Sequence, residues 1–200
     1  MKIGPKYKIA RRLGAPIFEK TQTAKFALSL SRKEKTGKFV RPKSEFGKAL
    51  AEKQKARLTY GLSERQFRNY INKSLHAANP AQKLFTLLES RLDSALFRSG
   101  LVKTRAQGRQ ASTHGHLLVN GKRVTVPSLI LTDGDMVAIR EGSMGSLLFA
   151  EAAERMKTQT VPAWLEVNPE KREAKVVGEP VYAPGEHVFD LGVAIEFYNR

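Results

Sequence analysis

Residues 84–140 read LFTLLESRLDSALFRSGLVKTRAQGRQASTHGHLLVNGKRVTVPSLILTDGDMVAIR, and this stretch decides the fold. Leu84, Leu88, Leu92 and Leu96 recur every four residues, which lines one face of a helix with apolar side chains. Gly100 is its stop signal. Thr104 opens a second helix, and Gln107 three residues later completes a capping box. Arg105 and Arg109 lie one turn apart on it and share a face; Gly115 ends it. Asn120-Gly121 then separates two short apolar segments, 117–119 and 123–126. Asn-Gly there predicts a hairpin, because a type I′ turn needs positive φ at both central residues. Asp133-Gly134-Asp135 turns the chain into a further strand at 136–139. The spacing therefore predicts an α+β module of two helices on a small antiparallel sheet. Its basic groups, Arg91, Arg105, Arg109, Lys122 and Arg123, fall on the paired helices and the hairpin.

The charge around this module points to a polyanion. The 200-residue chain carries 35 Lys and Arg against 19 Asp and Glu, a net charge of +16. Residues 1–43 hold a net +11, residues 44–140 a net +9 and residues 141–200 a net −4. Such excess charge opposes compaction unless a partner neutralises it, so nucleic acid is the expected ligand, contacted through the first 140 residues. No apolar run is long enough to span a bilayer, and the basic N-terminus has no apolar segment behind it to form a secretory signal. There is no cysteine, which excludes disulfides and thiolate metal sites. His114 and His116 have neither thiolate nor clustered carboxylate beside them, so no metal is expected there.

Working outward, residues 1–42 show little periodicity and many breakers, among them Gly4-Pro5, Gly14, Pro16, Gly37 and Pro42. An extended basic arm is expected, with a short helix near residues 10–13. Its self-repelling charge predicts that it is largely unstructured in the free protein and becomes ordered on its nucleic-acid partner. Residues 44–58 predict a helix with Phe46, Leu50 and Leu58 near one face. Ser63 and Gln66 form a second capping box. In the helix that follows, Phe67, Ile71 and Leu75 line one face and Arg65, Arg68 and Asn72 another. Beyond the module, Leu148, Ala152 and Met156 suggest a helix. A strand is expected after Pro162, with Trp164 as a core anchor. Val193, Ile195 and Phe197 alternate with more polar neighbours, which predicts a final strand.

Reactive constellations are missing from this pattern. There is no Gly-x4-Gly-Lys-Ser/Thr phosphate loop and no Gly-x-Ser-x-Gly elbow. Asp133 and Asp135 are two apart in a turn, where carboxylates serve turn geometry. Asp93 is assigned a local structural role.

Several blocks resemble the universal small-subunit ribosomal protein four family. They are Gly4-Pro5-Lys6-Tyr7-Lys8, Arg11-Arg12, Tyr60-Gly61-Leu62-Ser63-Glu64-Arg65-Gln66-Phe67-Arg68-Asn69-Tyr70, and Glu89-Ser90-Arg91-Leu92-Asp93. Lys103-Thr104-Arg105-Ala106, His114-Gly115-His116-Leu117-Leu118-Val119-Asn120-Gly121-Lys122-Arg123-Val124, Pro162-Ala163-Trp164-Leu165-Glu166-Val167 and Ile195-Glu196-Phe197-Tyr198 follow in the family's order. The central module alone also occurs in RNA-modifying enzymes and a tRNA synthetase, so the flanking blocks carry the specificity.

The resemblance implies a non-catalytic protein that binds small-subunit (16S) ribosomal RNA directly and early, at a multi-helix junction. It implies a part in organising the body of the subunit and in decoding accuracy, close to where messenger RNA enters. Expected partners are that RNA, neighbouring small-subunit proteins and messenger RNA; no cofactor, membrane or small-molecule substrate is expected, and the location is the cytoplasmic ribosome. The rival is an RNA-modifying enzyme or another RNA-binding protein carrying the same module; for the enzyme, little chain remains to build a catalytic domain. The implied architecture is a basic arm (1–43), a mainly helical first domain with C-terminal strands (44–88 and 148–200) and the inserted RNA-binding module (89–147). The implied RNA contacts are Lys6, Lys8, Arg11, Arg12, Lys53, Lys55, Arg57, Tyr60, Arg65, Arg68 and Asn69. In the module they are Arg91, Lys103, Thr104, Arg105, Arg109, Gln110, His114, His116, Asn120, Lys122 and Arg123. Two departures stand out. The cysteine-based zinc cluster of many bacterial members is missing. Gly108-Arg109-Gln110-Ala111-Ser112 is smaller and more polar than the family's usual Ala-Arg-Gln-Leu-Val, which predicts a loosely packed second helix, since Gly costs about 1 kcal/mol against Ala there.

Overall fold

The leucine repeat does not run through one helix. In the computed structural model, which describes residues 3–35 and 44–199, α5 (Pro80–Glu89) and α6 (Leu92–Arg98) are separate. Arg91 between them is extended, with φ −65° and ψ 141°, and bridges Ile130. Leu92 N–H donates to Leu129 O and Leu131 N–H to Ser90 O, both at 2.8 Å. Backbone pairing with a distant segment thus overrides the local helical pattern.

The chain divides into two units, Met1–Leu84 with Ala183–Arg200, and Phe85–Tyr182. The first holds α1 (Lys6–Leu13), α2 (Ala24–Lys35), α3 (Glu45–Thr59), α4 (Glu64–Ser74) and α9 (Leu191–Glu196). The N-terminal arm is therefore not extended over its described residues. Gly14 adopts φ 72° and caps α1, so the chain reverses and brings Ile17, Phe18 and Phe26 onto Ala10, Leu13 and Leu58 in one apolar cluster. Burial of each such side chain is worth about 1.5–3 kcal/mol, which offsets the ordering of so charged a segment. The expectation of an extended arm is corrected accordingly for residues 3–35; residues 36–43, including Gly37 and Pro42, lie outside the described residues.

Local signals set the rest of this unit. Ser44 Oγ caps α3 by accepting from Gly47 N–H, and Ser63 and Gln66 form the expected capping box on α4. Phe67 and Ile71 are fully buried on its inner face. The predicted final strand is instead α9. The Asp190 carboxylate accepts from Gly192 and Val193 N–H at 2.8 and 3.2 Å. Leu191, Ala194 and Ile195 are the buried residues, an i, i+3, i+4 set that fits a helix and packs on α3.

The second unit holds α6, α7 (Arg105–Thr113) and α8 (Ala152–Thr158) around a five-stranded antiparallel sheet. Its strands are β1 (Leu117–Val119), β2 (Lys122–Val124), β3 (Met136–Ile139), β4 (Leu165–Asn168) and β5 (Glu173–Val176), in the order β2-β1-β3-β5-β4. The expected division at 147/148 is corrected here. β5 pairs with β3, and Met156, Trp164 and Val176 share one core with Leu92, Leu96 and Ile139. The segment 148–182 thus completes the module's sheet instead of returning to the helical unit.

Asn120 and Gly121 have φ 50° and 76°, as the hairpin requires. Thr104 Oγ1 caps α7 through Gln107 N–H at 3.1 Å, while the Gln107 side chain reaches back to Lys103 N–H at 2.7 Å. The second helix is not loosely packed. A Cβ on Gly108 would lie 3.0 Å from Asp93 O, so glycine is what lets α7 approach α6 so closely.

Asp135 fastens the 132–135 turn to the hairpin tip. Its carboxylate accepts from Thr132 N–H and Asn120 Nδ2 at 2.7 Å each, and from Thr132 Oγ1 at 3.0 Å. Burial raises this carboxyl, but the three hydrogen bonds outweigh it and hold it below the usual carboxylate value. A depressed folded value contributes stability that is fully present above the unfolded value of 3.8 and is lost as pH falls through the folded one. Asp135→Asn is thus expected to lower the melting temperature near pH 7 and to flatten the decline below about pH 4. Thermal melts of both proteins between pH 3 and 7 check this; an unchanged acid limb would assign the loss elsewhere.

Candidate nucleic-acid interface

In the helical unit, the expected contact residues separate into two groups. Lys8, Arg11 and Arg12 on α1, and Arg65, Arg68 and Asn69 on α4, are exposed. Lys6 is half-buried with Nζ 5.5 Å from the Phe18 ring centre. The α3 set is turned inward. Lys53 is 6% exposed, bonded to Glu64 at 2.8 Å and placed 4.3 Å over the Phe197 ring. Lys55 pairs with Glu52 at 2.6 Å. Arg57 donates to Gln54 Oε1 at 2.7 Å and to Leu62 O at 3.2 Å. Tyr60 is buried against Phe189, with ring centres 5.9 Å apart. Of these, Lys53 and Tyr60 are corrected to structural residues, because a buried side chain presents no surface to a phosphate.

Glu64 is the hub of this inward set. Burial raises its carboxyl, but hydrogen bonds from Lys53 and Tyr198 and the charges of Lys53 and Arg57 bring it below its ordinary value. Tyr198 in turn is pushed up by burial and by its bond to Glu64.

In the second unit, two buried carboxylates organise the arginines of α6 and α7. Asp93 receives Arg91 in a fork, Nε to Oδ1 and Nη2 to Oδ2, both 2.9 Å, and Arg109 Nη1 at 3.1 Å. Glu89 receives Arg98 at 2.7 and 3.1 Å and Arg105 at 3.0 Å. Glu89 at the end of α5 and Asp93 on α6 are four apart, as are Arg105 and Arg109 on α7, so Glu89–Arg105 and Asp93–Arg109 form two successive rungs. Arg91 and Arg105 are only 3% and 7% exposed, and Arg105 also lies 4.6 Å over the Phe97 ring. Both are corrected from RNA contacts to structural members of the network. Arg98, which the sequence reading missed, and Arg109 stand partly exposed at its rim. The signal for Arg98 was the acid at Glu89, which marks where a guanidinium will be fixed.

The hairpin side differs. Lys103, Gln110, His114, Lys122 and Arg123 are exposed. Thr104 serves as the α7 cap, and Asn120 bonds Asp135 and Met136 N–H. Neither of these two is left for ligand alone. Arg140, also missed, sits beside His116 through Arg140 N–H donating to His116 O at 2.8 Å; the outward alternation along 136–140 was its signal. Lys8, Arg11, Arg12, Arg65, Arg68, Lys103, Lys122 and Arg123 have no carboxylate within 4 Å among the described residues. Among the described residues no three His, Asp or Glu side chains cluster as a metal site, and no helix is long and apolar enough to cross a membrane.

Comparison with known proteins agrees with this arrangement. A family model for the ribosomal protein S4/S9 N-terminal domain matches residues 1–89, and one for the S4 domain matches residues 90–137. The chain is 35% identical over 204 residues to small ribosomal subunit protein uS4 of Halothermothrix orenii, covering 98% of both chains. It is 38% identical over 206 residues to uS4 of Latilactobacillus sakei, again covering 98% of both. It is 39% identical over 205 residues to uS4 of Oenococcus oeni, covering 98% of this chain and 97% of that one. With the two family models matched in order over residues 1–137 and relatives similar from end to end, the chain belongs to the small ribosomal subunit protein uS4 family.

Proposed function

We propose that this protein is a structural constituent of the small ribosomal subunit that binds its 16S ribosomal RNA directly and early. In this reading it nucleates assembly of the subunit body beside neighbouring ribosomal proteins. It also supports decoding accuracy where messenger RNA enters, in the cytoplasm, and it catalyses no reaction. The observation that carries the reading is the contrast in how cations are held. The arginines of the α6–α7 pair are matched to buried acids and build the scaffold. The exposed cations of α1, α4 and the hairpin side have no acid partner among the described residues. In each unit such cations suit phosphates, whose contacts position an RNA without reading its sequence, with shape and 2′-hydroxyls adding discrimination.

Binding to 16S RNA is expected to weaken steeply with salt, each neutralised phosphate adding about 0.7–0.9 to the log–log slope. Filter binding across a salt series, with duplex DNA of equal length as comparison, checks it. A salt-independent affinity, or equal affinity for the duplex, would overturn the reading.

A further inference from the structure

We propose that the end of the sheet at His116 and Arg140 is a phosphate-holding site. There Arg140 and Arg123 grip one backbone phosphate of bound RNA, and His116 takes up a proton as that phosphate arrives. The proposal rests on the RNA-binding reading above and adds a site and a pH dependence to it.

The register builds the site. Leu117 pairs with Ile139 and Leu118 with Arg123, and Arg140 N–H bonds His116 O. Leu117 and Ile139 point into the core, and Arg123, opposite Leu118, lies on the other face; His116 and Arg140 follow directly at the paired strand ends. A Cβ on Gly115 would collide with the Arg123 guanidinium, so that glycine lets Arg123 lie flat over the backbone, its Nη2 reaching His114 O at 3.4 Å. His114 and His116 have ring centres 5.9 Å apart.

Two features of this group call for an anion. Arg140 Nε is buried and has no hydrogen-bond partner, which is costly unless an acceptor arrives. And four cationic or protonatable groups are gathered with no acid among them: neither Arg123 nor Arg140 has a carboxylate partner among the described residues. A phosphate would satisfy the orphan N–H and relieve the repulsion together, and guanidinium groups match its oxygens in geometry.

The groups facing His116 fix the sign of the pH effect. They are His114 before β1, Arg123 on β2, Arg140 after β3, the Ser143 hydroxyl at 3.0 Å from Nδ1, and the edge-on Phe149 ring at 6.2 Å. Glu141, next to Arg140, is exposed and pairs with neither arginine. Burial first, then the charges of His114, Arg140 and Arg123, hold His116 below its ordinary value of 6.5. It is therefore neutral at pH 7 in the free protein. A phosphate beside it favours imidazolium, so binding takes up a proton and strengthens as pH falls.

The test is filter binding of the full chain to 16S RNA between pH 5.5 and 8 at fixed salt. The wild type is compared with His116→Asn, Arg140→Gln and Arg140→Lys. Wild-type affinity is expected to rise about three- to tenfold from pH 7.5 to 6. His116→Asn should flatten that rise. Arg140→Gln should bind about tenfold more weakly throughout, with partial rescue by lysine. Wild-type binding with an unchanged pH profile in His116→Asn, or full affinity in Arg140→Gln, would overturn the site but not the RNA-binding reading; only failure of the wild type to bind would remove that. If Arg140→Gln does not fold, ring NMR of wild-type His116 decides: a value raised by 16S RNA supports the site, and an unmoved one overturns it. A rise with inorganic phosphate but none with RNA would overturn RNA as the source.

Discussion

Asp93→Ala is expected to lower the unfolding free energy by about 3–5 kcal/mol, because it leaves buried guanidinium charge without its counterion. Asp93 is 1% exposed and Arg91 3%, and the same carboxylate also holds Arg109. The loss is therefore one carboxylate but three charge-assisted hydrogen bonds. Asp93 also belongs to the irregular joint between α5 and α6, since its N–H donates to Pro127 O at 3.1 Å. Urea unfolding by circular dichroism measures the effect. The exposed Lys48–Glu45 pair on α3, at 2.7 Å, supplies the contrast: Glu45→Ala should change stability by under about 1 kcal/mol. If Asp93→Ala costs no more than that, water reaches the network and it does not organise the helix pair.

The second large effect separates the two faces of α4. Phe67→Ala should cost about 3–5 kcal/mol as a truncation in a packed core. Its ring is fully buried and tilted against Tyr198 at 6.4 Å. RNA binding by the fraction that remains folded should be little changed. Arg65→Glu combined with Arg68→Glu should do the reverse. Both side chains are exposed and neither has a carboxylate partner among the described residues. Melting should change little, while 16S RNA affinity drops and its salt slope falls by about 1.5, with about 0.7–0.9 for each lost phosphate contact. Melts and filter binding on both variants check the pair. An unfolded double variant, or a stable Phe67→Ala that fails to bind, would reverse the faces.

The contrast between Arg68 and Arg105 shows how far residue type goes. Both lie in matching blocks on capped helices, and both were expected to meet RNA. Arg68 faces outward because Phe67 and Ile71 fix the opposite face of α4. Arg105 faces inward because Glu89, sixteen residues away, is buried where only a cation can satisfy it. A sequence pattern shows that an arginine is present and which helix face it shares. Which way that face turns depends on the partner it meets, and that partner comes from another element.

What the sequence by itself determined was local or cumulative. The Asn120-Gly121 turn, the caps at Ser63 and Thr104 and the α+β class follow from backbone preference and short-range hydrogen bonding, summed charge gave the expectation of a polyanion, and the family was legible in the matching blocks. Tertiary structure alone decided the break in the leucine repeat at Arg91, made by pairing with Ile130. It decided the folding of the N-terminal segment on Leu58 and the joining of β4 and β5 to β3. It also turned the last segment into a helix against α3 and placed Arg140 beside His116. In each case the deciding interaction joins residues far apart in the chain. Loop closure costs only about 0.6 kcal/mol more for each doubling of length, so long-range partners win wherever they bury apolar surface or satisfy a buried polar group.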